Sequence, residues 1–129
     1  MTRRIILDTD MGNDVDDVLA LAVLHSLHKQ GKIDLAAILI SKDAKNAPRF
    51  TELFNLLVGQ EIPVAHADRG VAIPFETYLH LTDLIAERYP KERKQLQAEY
   101  PLATDLLRET LQAADDQSID LVTIGFASN

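Results

Sequence analysis

Five aspartates crowd into residues 5–21, which read IILDTDMGNDVDDVLAL. An apolar triplet, Ile5-Ile6-Leu7, leads in. Asp8, Asp10, Asp14, Asp16 and Asp17 follow, and then an apolar stretch opens at Val18. The pattern is a strand running into a helix with a carboxylate-rich junction. At an effective dielectric near 20, two unit charges about 4 Å apart repel by about 4 kcal/mol. A helix cap and a solvated loop would use one such aspartate. A bound hard cation is the stronger explanation for five, because Ca²⁺ and Mg²⁺ take oxygen ligands. Side chains two apart in a strand point the same way, so Asp8 and Asp10 are expected to converge. Gly12 allows a tight turn, and Asp14 or Asp16 is placed to cap the helix. In an open parallel α/β sheet such a junction lies in the crevice at the C-terminal ends of the strands.

The rest of the chain alternates between the same two signals. Strands are expected at 4–7, 34–40, 62–65 and 119–124. Helices are expected at 15–28, 48–58 and 102–114, with Gly31 and Gly59 stopping the first two. The first helix is apolar on nearly every side, which predicts deep packing. The last strand reads as buried. Residues 74–100 are polar and partly helical, with a solvated charged run at 91–94. Alternating strands and helices specify an α/β, doubly wound, Rossmann-like parallel sheet of about four strands in a single domain, 1–129.

Composition narrows the function. Twenty acidic against thirteen basic side chains give a net charge of −7, which argues against nucleic-acid and anionic-membrane surfaces. The chain has no cysteine, so neither disulfides nor thiolate chemistry is available. Only three apolar residues follow Met1-Thr2-Arg3-Arg4, too few for a signal peptide, and no stretch reaches the length of a membrane span. A cytoplasmic protein is the default expectation.

The segments Asp8-Thr9-Asp10-Met11-Gly12 and Asp16-Asp17-Val18-Leu19-Ala20-Leu21 resemble the N-terminal signature of the inosine-uridine preferring nucleoside hydrolases. Further pieces resemble that family in the right order. They are Ile38-Leu39-Ile40, Asn46-Ala47, Glu61-Ile62-Pro63-Val64 and the closing Gly125-Phe126-Ala127-Ser128-Asn129. This chain carries two extra residues before the aspartate pair, for which Asn13 and Asp14 look like the insertion. The resemblance implies a calcium-dependent N-glycosyl hydrolase of purine or pyrimidine salvage that splits ribonucleosides into ribose and free base.

The same resemblance implies the roles. Asp10 is the calcium ligand and general base that activates the water. Asp17 is a second carboxylate ligand, the backbone carbonyl of Ile124 a third, and Asp8 stands beside them. Asp16 or Asp14 hydrogen-bonds the ribose. The partner is a small nucleoside, and family members are commonly homo-oligomers. They are also more than twice this length, so the chain is expected to be an N-terminal portion. The second half of the family fold supplies a further calcium ligand, ribose contacts and a histidine near the base.

Among the remaining polar residues, His25 and His28 read as packed or surface histidines. His66 and His80 are weak candidates for substrate contact. Ser41 and Asp43 follow the second strand where the family often places a substrate-binding asparagine, and Asn129 reads as structural. Two rival functions stay open. One is a Mg²⁺-dependent phosphatase of the haloacid dehalogenase type, which also places Asp-x-Asp after its first strand but leaves the Asp16-Asp17 pair unexplained. The other is a non-catalytic metal- or ribose-binding fragment. An EF-hand is a poor match, since the twelfth position from Asp8 is Leu19.

Overall fold

A computed structural model describes residues 2–67, 69, 71 and 79–129. Four strands, β1 (Arg3–Thr9), β2 (Ile33–Ile40), β3 (Val64–Ala65) and β4 (Ile119–Thr123), form an all-parallel sheet in the order β3-β2-β1-β4. Helix α1 (Asp16–Lys29) links β1 to β2, and α2 (Asn46–Leu57) links β2 to β3. A 3₁₀ turn (Leu79–Leu81) precedes α3 (Thr82–Arg88), α4 (Pro90–Arg93) and α5 (Ala103–Gln112), which leads into β4. The chain thus steps outward from β1 through β2 to β3, and then returns to the other side of β1. The reversal point of a doubly wound sheet lies between β1 and β4, where such folds open their ligand crevice.

The two faces of the sheet are packed unequally. On one side Leu7, Leu21, Leu35, Ile38, Ile40 and Val64 form a core with Met11 and Leu79, flanked by Phe50 and Phe54 of α2. On the other, Ile6, Ala37, Leu39, Ala65 and Ala103 pack beneath Leu106 and Leu107 of α5. The alternation Ile6-in, Leu7-out along β1 divides the strand between them, as a strand buried on both faces requires.

Four expectations need correction. Helix α1 is not packed all round. Val15, Leu19 and Val23 are 63, 60 and 57% exposed. At about 3.6 residues per turn this stripe lies opposite Asp17, Leu21 and His25, the side that meets the sheet. A helix on a sheet buries one face, whatever the composition of the other. Strand β4 is not interior either. Among the described residues it pairs only with β1, at the edge of the sheet, and Leu121, Val122 and Ile124 are exposed. No aspartate side chain caps α1. The N-cap position is Val15, and Asp16 and Asp17 stand in the first turn, where the helix dipole favours negative charge. Finally, β3 is limited to two residues. Pro63 brings no N–H to the ladder, although its carbonyl still accepts from Ile38 N at 2.9 Å.

The histidines behave as read. His25 is buried between Asn55 and Gln60 and rests near the ring of Phe54. His28 Nδ1 accepts from the backbone N–H of Leu35 at 2.9 Å. The part of the 74–100 segment at 74–78 lies outside the described residues. The charged run at 91–94 is exposed except for a half-buried Glu92 and begins within the short α4.

Candidate functional site

The acidic run emerges at the C-terminal end of β1, beside the reversal point. Asp8 and Thr9 are the last buried residues of the strand. The chain then turns through Met11 and Gly12, both buried, and Gly12 takes φ of 106°. That conformation is open to glycine and strained for other residues. The turn brings the start of α1 back over the strand end, so that Asp17 meets Thr9, whose hydroxyl donates to Asp17 Oδ1.

Strand β4 closes the other side. Ile124 N donates to the Asp8 carbonyl at 2.8 Å, which carries the β1–β4 ladder one step past Thr123. Gly125 follows at a very close approach. A Cβ there would lie 2.4 Å from Asp10 N, 2.7 Å from the Thr9 carbonyl carbon and 2.3 Å from Ser41 Oγ. Beyond it, Asn129 Nδ2 donates to Asp8 Oδ1 at 3.0 Å, while Asn129 Oδ1 is buried and finds no hydrogen-bond partner among the described residues. Ser41, at the end of β2, accepts from Phe126 N through its hydroxyl at 3.0 Å, and its carbonyl accepts from the Ser128 hydroxyl. The strand ends of β1, β2 and β4 are therefore stitched together around the acidic turn.

The electrostatics follow from this packing. Burial pushes the Asp17 carboxyl up to about 6, opposed by the Thr9 hydroxyl and reinforced by Asp10, Asp16 and Asp14. Burial also raises Asp8, with hydrogen bonds from Asn129 and Ser41 pulling the other way and Asp10 adding repulsion. Two desolvated carboxylates held near further negative charge are in the state that a bound cation relieves.

The sequence-predicted residues are only partly drawn together. Asp8 and Asp17 are buried at the turn, and Asp10 is half-buried. Asp14 and Asp16 are exposed at its rim. Ile124 reaches the turn through its backbone, while its side chain is exposed. Among the described residues no three Asp, Glu or His side chains are grouped closely enough to hold a metal ion by themselves. Asp8, Asp10 and Asp17 each accept a hydrogen bond, from Asn129, Asn13 and Thr9. The donor set is nevertheless chemically suited to a hard cation: all oxygen, anionic and desolvated. It supplies part of a coordination shell rather than a finished cage.

Two participants escaped the sequence reading. Asn13 is not a spacer, since its amide donates to Asp10 Oδ2. Lys42 is only 1% exposed, and its ammonium donates to Asn13 Oδ1 at 3.2 Å. A Cβ on Gly12 would lie 3.2 Å from the same nitrogen. The available signal was position: Lys42 comes two residues after the apolar run of β2, hence at the crevice end of a parallel strand. Of the other histidines, His66 is half-buried and lines a cavity, and His80 is exposed.

Comparison with known proteins found no matching family model, no matching curated protein and no matching solved structure. No helix among the described residues is long and apolar enough to cross a membrane.

Proposed function

We propose that the chain belongs to a calcium-dependent hydrolase that cleaves the N-glycosidic bond of a ribosyl compound. The observation that carries this reading is the pair of buried, desolvated carboxylates Asp8 and Asp17, with Asp10 beside them, at the reversal point of the sheet. The motif resemblance described above supplies the reaction class.

In this reading Asp8, Asp10, Asp17 and the carbonyl of Ile124 are the groups that would hold the cation. Calcium, when bound, supplies Lewis acidity toward water and a seat for vicinal hydroxyls. Asp10 accepts a proton from the attacking water, and Asn13 holds that carboxylate in place through Oδ2. The C1′–N bond breaks with its electron pair leaving on the base, the C1′–O bond forms, and the base takes up a proton. The neighbouring carboxylates favour the positive charge that develops on the sugar. Exposed Asp14 and Asp16 are the side chains available to ribose hydroxyls.

The test is release of reducing sugar from inosine and from uridine, with calcium and with excess EDTA. Calcium-dependent release that disappears in Asp10→Asn supports the proposal. Absence of release from folded protein, with calcium still raising its thermal midpoint, would identify a binding module instead.

A further inference from the structure

A cavity of about 400 Å³ opens beside the acidic turn, between the loop after β2, the start of α2 and the residues before α5. Within a chain of net charge −7 it has an unusual lining. Lys42, Lys45, Arg49 and His66 contribute to it, against Asp43 and Glu99. Lys42 is buried and Arg49 and His66 are half-buried, whereas both carboxylates are exposed, as is Lys45. Behind the lining, buried Glu52 accepts hydrogen bonds from Gln97 and from the Tyr100 hydroxyl.

Two further observations point to an anion. The first turn of α2, a twelve-residue helix, contains no acidic residue, and no side chain caps its N-terminus. The positive end of its dipole therefore lies at the cavity, with Asp43 and Glu99 as the opposing charges in the lining. Arg49 Nε is sealed from solvent and has no acceptor among the described residues, while its Nη2 donates to Asp83 at 3.0 Å. Arg49 also lines the cavity with its side chain half-buried, so an anion there would meet a partly desolvated cation.

We infer that this cavity binds the phosphate of a phosphorylated ribosyl substrate. The substrate assignment rests on the hydrolase reading; the phosphate site itself does not. The volume suits a sugar phosphate better than a lone phosphate, falling within the ordinary range of small-ligand sites. Lys42 joins the two regions, since it lines the cavity and also donates to Asn13 beside Asp10. A ribosyl phosphate seated here would carry its anionic end against Lys42, Lys45 and Arg49 and its sugar toward the aspartates. The resulting division of labour is plain: cations for the phosphate, carboxylates for the reacting carbon.

The experiment is calorimetric titration of the full chain, in EDTA, with inorganic phosphate, ribose 5-phosphate, ribose and acetate. Both phosphates are expected to bind, ribose 5-phosphate more tightly, with ribose and acetate silent. Lys45→Gln and Arg49→Gln are each expected to weaken phosphate binding by about tenfold, the loss typical of one charge-assisted hydrogen bond. Lys45 is exposed, so its variant should keep the parent thermal midpoint and serve as the folding control. No binding of either phosphate up to about 10 mM, a limit beyond the weakest useful affinities, overturns the inference. So does binding that neither substitution changes.

Sugar release from inosine and from its 5′-monophosphate then separates the two claims. Cleavage of inosine without phosphate binding sinks the phosphate site and leaves the hydrolase. Phosphate binding lost in both variants, with neither compound cleaved, sinks the hydrolase and leaves the site.

Discussion

The loop after β1 and the loop after β2 leave the same edge of the sheet from neighbouring strands, yet they carry opposite charge. Residues 10–17 hold four aspartates and no cation; residues 42–49 hold two lysines and an arginine against one aspartate. The difference extends to burial. In the first loop Asp17 is buried and its carboxyl is driven up toward neutrality. In the second, the buried charge is the ammonium of Lys42, which reaches across to Asn13 in the first. Two like-charged loops would have pushed apart. Opposite ones share an edge.

The sharpest way to break this contrast is to remove its chemistry. Asp10→Asn should lower sugar release by about 10³-fold, within the usual range for loss of a general base, as read by initial rates at saturating calcium. The next largest effect attacks the scaffold. Gly125→Val puts a side chain into the backbone of Thr9 and Asp10 and should cost about 3 kcal/mol in urea unfolding, the scale of severe overpacking. Lys42→Met removes the bridge between the loops. It should destabilise by about 2 kcal/mol, as loss of one member of a buried polar network does, and should reduce sugar release alongside.

Asp17→Asn sharpens the comparison through pH. The folded carboxyl holds its proton to about pH 6, whereas the ordinary value is 3.8. The folded state therefore binds more protons between those values, and stability from this group falls as pH rises from about 4 to about 6. The ceiling on that loss is about 3 kcal/mol, taking 1.4 per pH unit. In Asp17→Asn this part of the slope should vanish, leaving the metal-free variant the more stable protein at pH 7 by about 1 kcal/mol in thermal or urea melts. The smallest effect belongs to the exposed pair: Asp14→Asn and Asp16→Asn should each change stability by less than about 0.5 kcal/mol.

The sheet, its parallel sense and the position of the acidic turn were legible because periodicity and glycine placement are local signals. Helix α2 begins at Asn46 and β2 ends at Ile40, close to where the pattern puts them. The departures came from neighbours that the local signal does not name. The Val15-Leu19-Val23 stripe and the apolar side chains of β4 look like core residues in sequence. Only the sheet order shows that one faces away from the sheet and the other sits at its edge. The aspartates of the site were legible as a cluster. The roles of Asn13, which bonds Asp10, and of Lys42, which bonds Asn13, were not, because each acts through a contact set by turns or by a neighbouring strand.

The pairing of β1 with β4 carries a further consequence, for the order of events in folding. Asp8 meets Asn129 across 121 residues of sequence, and Arg3 meets Asp120 across 117, whereas α1 and β2 follow β1 directly. Closing so long a loop costs entropy that local pairings do not, and long-range parallel pairing is slow. The β1–α1–β2 unit can thus gain protection from hydrogen exchange while the crevice is still open. The acidic turn gains its far wall only when β4 docks, so the Asp8 contacts with Ile124 and Asn129 form after those with β2.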